Sequence, residues 1–121
     1  MSIHLDLAAA LADTFADHLA APVGLMQDAL ILELSGGLTV TVRYAARAAY
    51  SLRWRRGNAE CGIDTAPLHH ELATFPNHFH DAAGRTLADP VTDPDAAPVD
   101  NVSRLLRMLL DRPAFGFEAG G

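Results

Sequence analysis

Four of the chain's six histidines fall in one short stretch that runs from Asp64 to His80. They are His69, His70, His78 and His80. Histidine is the side chain that titrates nearest to neutral pH, and it is the commonest protein ligand for metals. Such a density of imidazole is not typical of a random surface and predicts a functional site.

Acid–base catalysis of RNA cleavage is one interpretation of this stretch. Attack by a ribose 2'-hydroxyl needs one group that takes a proton and another that gives one, and imidazoles do both. His69, His78 and His80 would fill these catalytic roles, and Asp64 would hold one imidazole in its working tautomer. Because His78 and His80 are two residues apart, they share a face only if the segment is extended.

Metal binding is a second interpretation of the same residues. His78, His80 and His69 supply three imidazoles, and three protein ligands with one open position are common in catalytic zinc sites. Asp64 or Glu71 would be a fourth ligand or would orient a ligand from outside. The spacing matches no zinc finger or ribbon, so a divalent metal at this cluster stays an alternative and its identity is unknown.

A structural role is the third interpretation. Pro67 and Pro76 lie within the stretch, which is typical of a loop. Imidazoles in a loop of this kind can donate hydrogen bonds to buried carbonyl groups. Phe75 and Phe79 are apolar anchors against which these rings would pack. The residues alone leave all three interpretations open.

The same stretch resembles the signature of the TumE family of small proteins, the toxin partners in bacterial toxin–antitoxin pairs. The matching positions are Asp64, Ala66, Pro67, His69, Thr74, Phe75, Pro76, His78 and His80. Residues that differ from the usual ones are Thr65, Leu68, His70, Asn77 and Phe79. The resemblance implies a toxin that a cognate antitoxin holds inactive. Comparison with other small bacterial toxins extends this to an action on RNA.

Length and composition favour one domain over residues 1–121. The formal net charge is −6 and every cation is an arginine, so the composition does not indicate a general nucleic-acid binder. Cys61 is the single cysteine, which fits a reducing compartment. No apolar run approaches the roughly 20 residues that span a bilayer. We therefore expect a cytoplasmic protein without membrane segments.

Alternating apolar residues between Asp28 and Asp64 predict an antiparallel sheet of about four strands. Gly36-Gly37 is typical of the tight turn in a hairpin. One face of the sheet is apolar, whereas the other carries arginines and small polar residues. Arg43, Arg53 and Arg55 on that face, together with His70, are the candidate substrate-binding residues, because arginine binds phosphate and carboxylate bidentately. The alternative is a charged face that keeps the sheet soluble or docks a protein partner.

Helical periodicity predicts an N-terminal helix over about residues 6–20, capped by Asp6 or Ser2. A second helix is predicted to begin at Asp100 or Asn101 and to end before Pro113. We expect both helices to cover the apolar sheet face, which makes the fold class α+β. The apolar stripe of the second helix would serve a homodimer as well as a core. The tail through Gly120-Gly121 is predicted to fray.

Overall fold

The computed structural model describes residues 2–118. Within that range, two α-helices accompany one antiparallel sheet of seven strands. The helices are α1 (Ile3–Thr14) and α2 (Pro98–Asp111), and a single 3-10 turn spans Ala16–His18. The strands are β1 (Gly24–Leu25), β2 (Leu30–Leu34), β3 (Leu38–Ala46), β4 (Ala49–Arg56), β5 (Ala59–Asp64), β6 (His78–His80) and β7 (Thr86–Ala88).

Each strand of the sheet pairs with the next strand in sequence, so the topology is a meander. The β2–β3 turn uses Gly36 and Gly37, whose φ angles of 100° and 92° are accessible to glycine at little cost. A register shift between Tyr44 and Ala46 marks a bulge in β3. The predicted tight turn at Gly36-Gly37 is therefore confirmed.

Alternation along β4 divides the sheet into an inner and an outer face. Leu52 and Trp54 are fully buried in the core, whereas Ser51 and Arg53 point to the opposite side. Because side chains alternate across a strand, the same division continues into β5 and β6. The outer face is the one that carries the polar residues discussed below.

Both helices contribute to the hydrophobic core with the inner face of the sheet. The side-chain oxygen of Ser2 accepts the backbone N–H of Leu5 at 3.2 Å and so caps α1, as one of the two predicted caps does. The apolar stripe of α2 is buried inside this core, as Leu105 and Leu106 illustrate. No helix among residues 2–118 is both long and apolar enough to cross a membrane.

Three aromatic rings lie beneath the polar face near β6. Phe79 stacks on Trp54 at 5.8 Å and on Phe115 at 5.0 Å between ring centroids. The indole N–H of Trp54 donates to the carbonyl oxygen of Phe115 at 3.1 Å. This packing holds Phe79 on the inner face, so its two histidine neighbours in β6 must point outward.

The α+β class and the two terminal helices are confirmed, but the number of strands was predicted too low. Strands β1, β6 and β7 have only two or three residues, too few to show an alternating pattern. The predicted start of α2 was also wrong. Pro98 opens that helix, and Asn101 instead exchanges hydrogen bonds with the backbone of Asp93. The predicted fraying at Gly120-Gly121 concerns residues outside the described range.

Candidate active site

Strand pairing brings the first histidines of the site next to a carboxylate. Asp64 at the end of β5 lies opposite His78 in β6, and Gly62 lies opposite His80. Since Phe79 points into the core, both imidazoles lie on the outer face with the Asp64 side chain. The extended conformation that a His-x-His pair needs in order to share one face is therefore present.

The Asp64 carboxylate bridges the two imidazoles. Its Oδ1 lies 3.0 Å from His78 Nε2, and its Oδ2 lies 3.3 Å from His80 Nε2. The two rings meet edge to face with their centroids 4.6 Å apart. The backbone N–H of Ala66 donates to Oδ1 at 3.0 Å and fixes the carboxylate in this position. One carboxylate and two Nε2 atoms thus converge on a single point.

His78 is the buried member of the pair, with a side chain that is 2% exposed. Its Nδ1 lies 3.2 Å from the carbonyl oxygen of Pro76, while its Nε2 faces Asp64. A carbonyl and a carboxylate both accept hydrogen bonds, so a neutral imidazole cannot satisfy both partners. Hydrogen bonding alone therefore leaves one of these two contacts of a neutral His78 ring unmatched.

His80 is the accessible member, with a side chain that is 40% exposed. Its Nδ1 lies 3.4 Å from the hydroxyl oxygen of Thr86 in β7. Desolvation, followed by the charge of His78, lowers the pKa of His80 below its ordinary value, and Asp64 opposes that shift. The ring is held from both sides yet reaches solvent.

His69 completes the cluster from the loop between β5 and β6. Its ring centroid lies 4.9 Å from that of His78 and 6.4 Å from that of His80. Its side chain is 32% exposed, and its Nδ1 lies 3.5 Å from a carboxylate oxygen of Glu71. The predicted meeting of imidazoles from both ends of the histidine stretch is thus present in the structure.

The fourth histidine of the stretch faces another neighbour. His70 stacks on Phe75 with 4.3 Å between the centroids, and both side chains are exposed. Its proposed part in substrate binding stays a prediction. Glu71 is also exposed and reaches the cluster only through His69.

Arg53 is the candidate substrate-binding arginine that lies nearest to the cluster in the sheet. It pairs with Gly62 in β5, and Gly62 pairs with His80 in β6, so the three residues form one row across the outer face. A Cβ on Gly62 would lie 3.5 Å from Arg53 Cγ, which places the stem of the arginine over the glycine. The guanidinium donates to Glu60 at 3.0 Å.

Arg43 and Arg55 flank this row on the same face. Arg43 lies opposite Ser51, which in turn lies opposite Asp64, so that arginine is two strands away from the cluster. Arg55 lies opposite Glu60 towards the other end of the sheet. Both side chains are exposed. The outer face therefore presents several cations at increasing distance from the imidazoles.

The sequence did not predict the hydrogen-bond network around Asn77 and Asp89 that supports the backbone next to His78. Asn77 donates through Nδ2 to Asp89 Oδ2 at 2.7 Å and to the carbonyl oxygen of Thr92 at 3.1 Å. The hydroxyl of Thr74 donates to the carbonyl of Asn77 at 2.7 Å and accepts the N–H of Asp89 at 2.8 Å. A buried network therefore fixes the backbone that immediately precedes the catalytic candidate. The only sequence signal was a lone aspartate before Pro90.

A second aspartate shapes the turn that follows His80. Asp81 Oδ1 accepts the N–H groups of Ala83 and Arg85, and its Oδ2 accepts the Arg85 Nε–H at 2.6 Å. The hydrogen bond from the Arg85 backbone is the largest cause that lowers the pKa of Asp81. This carboxylate organises the β6–β7 hairpin.

Cys61 lies on the inner face of β5 and is buried. Burial raises the pKa of its thiol to about 11, so the thiolate is scarce at neutral pH. Cys61 is therefore placed as a core residue and not as a nucleophile.

The cluster also has the composition of a metal site. Asp64, His78 and His80 each offer one ligand atom, and these atoms lie within 4.8 Å of one another. His69 and Glu71, the other ligands considered from the sequence, are not in that group. Imidazole nitrogen and carboxylate oxygen together suit a divalent transition metal.

This geometry defines a class of protein: an α+β domain that carries a carboxylate–imidazole cluster on an open sheet face. The model of a family described as "Toxin TumE" matches residues 14–112, and the chain belongs to that family. Membership supports the role of a toxin and suggests an antitoxin as its partner. Searches of curated proteins and of solved structures find no match.

Proposed function

We propose that this toxin cleaves RNA at the cluster of Asp64, His69, His78 and His80, and that a cognate antitoxin restrains it. The observation that carries the proposal is a cluster of three imidazole rings, two of them against one carboxylate, beside an arginine on an open sheet face. A histidine with a purely structural role needs no access to solvent, whereas one that exchanges protons with a substrate does. Here two of the three rings, those of His69 and His80, reach solvent.

Phosphate recognition is the first task of such a site, and the outer sheet face supplies the cations. Arg53 is in the same cross-strand row as His80, with glycine between them. Its guanidinium can bind two phosphate oxygens at once and can stabilise charge that develops on phosphorus. Arg43 and Arg55 would contact neighbouring phosphates along the strand of RNA. The overall negative charge would limit binding elsewhere on the protein.

The chemical step would use the ribose hydroxyl as the nucleophile. The 2'-oxygen attacks phosphorus and loses its proton, the bond from phosphorus to the 5'-oxygen breaks, and that oxygen gains a proton. The products are a 2',3'-cyclic phosphate and a 5'-hydroxyl end. His69 and His80 are the groups through which protons would move, since their rings reach solvent. Asp64 and the buried His78 act as positioning residues.

Expression in a bacterial host without the antitoxin tests this proposal. The wild-type chain should arrest growth and leave total RNA with 2',3'-cyclic phosphate ends. His80→Ala and His69→Ala should each relieve the arrest while the protein stays soluble and folded by circular dichroism. His18→Ala is the matched control, because that imidazole is exposed and lies at the end of the 3-10 turn. It should leave toxicity unchanged.

A non-catalytic interaction protein is the competing hypothesis from a different class. On that hypothesis the arginine face and the exposed loop would capture an essential partner, and intact RNA would accompany growth arrest. Toxicity that persists in a folded His69→Ala, His80→Ala double variant would therefore refute the RNA-cleavage proposal. Normal growth with a soluble wild-type chain would contradict it as well.

A further inference from the structure

We propose that Asp64, His78 and His80 bind one divalent transition-metal ion. Binding of the ion can be tested by itself, whereas its part in RNA cleavage rests on the function proposed above. Three features of the cluster point to an ion: the spacing of its ligand atoms, the unmatched hydrogen bonding of His78, and the residues that orient the two rings.

The spacing of the ligand atoms fits the edges of a coordination polyhedron. Ligands about 2.1 Å from an ion, at angles of about 90° to 110°, lie about 3.0 to 3.4 Å from one another. The distances from the Asp64 oxygens to His78 Nε2 and His80 Nε2 are 3.0 Å and 3.3 Å. All three ligand atoms lie within 4.8 Å of one another, so the side chains would rotate inward to bind one ion.

The buried imidazole gives the second observation. His78 is 2% exposed, and oxygen acceptors face both of its nitrogens, Pro76 at Nδ1 and Asp64 at Nε2. A neutral ring with its proton on Nδ1 satisfies Pro76 and turns the Nε2 lone pair towards the carboxylate. An ion between Nε2 and the carboxylate would be bound by both and would complete the contacts of the ring.

The third observation is that each ring is oriented through the nitrogen that does not face Asp64. His78 Nδ1 faces the Pro76 carbonyl, and His80 Nδ1 faces the Thr86 hydroxyl at 3.4 Å. Metal-bound histidines commonly donate their other N–H to a carbonyl or a similar acceptor, which sets the tautomer and the angle of the ring. Asp64 is likewise fixed by the N–H of Ala66. All three ligands therefore have the outer partners of a metal site.

The type and number of ligands indicate the class of ion. Two imidazole nitrogens and one carboxylate oxygen suit Zn²⁺ and its neighbours better than Ca²⁺ or Mg²⁺, which prefer oxygen ligands. Three protein ligands leave at least one position for water or a phosphate oxygen. The His80 side chain is 40% exposed, so the ligand set is not sealed from solvent. With the ion bound, His80 would act as a ligand instead of a proton-transfer group, and His69, which is not a ligand, would remain available to exchange protons with RNA.

Calorimetric titration with ZnCl₂ tests the site on the whole chain after removal of metals with a chelator. The wild-type protein should bind one Zn²⁺ per chain. His80→Ala and Asp64→Asn should weaken binding by more than the roughly 10- to 100-fold that follows loss of an outer partner. Thr86→Val, which removes only the hydroxyl that orients His80, should fall within that range. His18→Ala is the matched control, because that exposed imidazole lies at the end of the 3-10 turn, outside the cluster, and it should bind like the wild type.

Saturable binding that survives both ligand substitutions would overturn the inference, and so would the absence of binding by the wild type. His80→Ala is the primary variant because its ring is partly exposed, and circular dichroism will verify that it is folded. The growth assay separates this inference from the proposed function. A toxic chain that binds no Zn²⁺ refutes the metal site alone. A chain that binds Zn²⁺ through these residues and leaves growth and RNA unaffected supports the metal site and refutes RNA cleavage.

Discussion

Asp64 and Asp89 are both held among polar side chains, yet their surroundings differ. Each of the two carboxylate oxygens of Asp89 accepts two hydrogen bonds. Its Oδ1 accepts the backbone N–H groups of Val91 and Thr92 at 2.7 and 3.0 Å. Its Oδ2 accepts the Asn77 amide and the Thr92 hydroxyl. The residue is 5% exposed, and nothing about its hydrogen bonding is left incomplete.

Asp64 receives one backbone donor, from Ala66, and otherwise faces two imidazoles. Imidazole can donate, accept or bind a metal, so the state of this cluster depends on protons or on an ion. Asp89 and Asp64 thus differ as a structural carboxylate differs from a functional one. A carboxylate saturated by fixed donors stabilises the fold, whereas one that shares partners able to change state is suited to chemistry.

The surroundings of Asp89 and the Asp64 cluster are nevertheless linked by consecutive residues of the backbone. Asn77, which donates to Asp89, directly precedes His78. Tyr50 extends the buried network, since its hydroxyl lies 2.7 Å from that of Thr92, and burial raises the pKa of Tyr50 to about 12. The structural carboxylate thus holds the backbone from which the functional imidazole projects. Substitutions in the Asp89 network should therefore lower stability, whereas substitutions in the Asp64 cluster should lower activity.

The largest expected effect is on stability, from Asp89→Ala. It removes the acceptor of four donors, three of them buried, and we expect the free energy of unfolding to fall by about 3 kcal/mol. Urea denaturation followed by circular dichroism measures it. Asp95→Ala is the matched control, because this exposed residue of the same loop should change stability by at most about 0.5 kcal/mol. Equal losses for the two variants would show that the network does not stabilise the loop.

The next effect is on activity, from Asp64→Asn. The amide keeps the shape of the carboxylate but cannot bridge two imidazoles as an anion, so RNA cleavage should fall at least about 100-fold. The free energy of unfolding should stay within about 1 kcal/mol of the wild type. Glu33→Gln, an exposed carboxylate in β2, is the control and should leave both quantities unchanged. If Asp64→Asn unfolds the chain as Asp89→Ala does, the distinction between the two carboxylates is lost.

A third prediction compares two imidazoles within the cluster. His78→Ala leaves a cavity and an unpaired Pro76 carbonyl in the interior, so we expect a loss of about 2 kcal/mol in the free energy of unfolding. His80→Ala removes a ring that is 40% exposed and should cost less than about 1 kcal/mol. Both variants should lose toxicity. The reverse order of stabilities in urea would mean that His80, rather than His78, holds the loop.

The sequence pattern was sufficient to predict part of the sheet and part of the candidate site. Alternation and glycine turns predict β2 to β5, and the spacing of His78 and His80 predicts their common face. The position of His69 depends on how a proline-containing loop folds back, which no periodicity encodes. The Asp89 network was missed for the same reason. Its residues come from segments that pair only in three dimensions, and the segment from Leu87 to Val99 resembles an unanchored loop.

The smallest expected effect concerns Gly62, the residue between Arg53 and His80 in one cross-strand row. A Cβ there would make only ordinary contacts, at 3.5 Å to Arg53 Cγ and to the Leu52 carbonyl oxygen, so Gly62→Ala should behave like the wild type. The φ angle of Gly62 is not positive, so valine is tolerated by the backbone. The added methyl groups of Gly62→Val should displace the arginine stem and lower RNA cleavage about tenfold, similar to Arg53→Ala.

A double variant decides whether the glycine acts through the arginine. If Gly62→Val works by moving the Arg53 guanidinium away from the phosphate, adding it to Arg53→Ala should cause no further loss, because non-additivity is the mark of a shared interaction. A further tenfold loss in the double variant would mean that valine obstructs His80 directly. Rates of RNA cleavage by the four purified proteins, each verified to be folded, distinguish these outcomes. Only the first outcome makes the outer sheet face an extension of the Asp64 cluster.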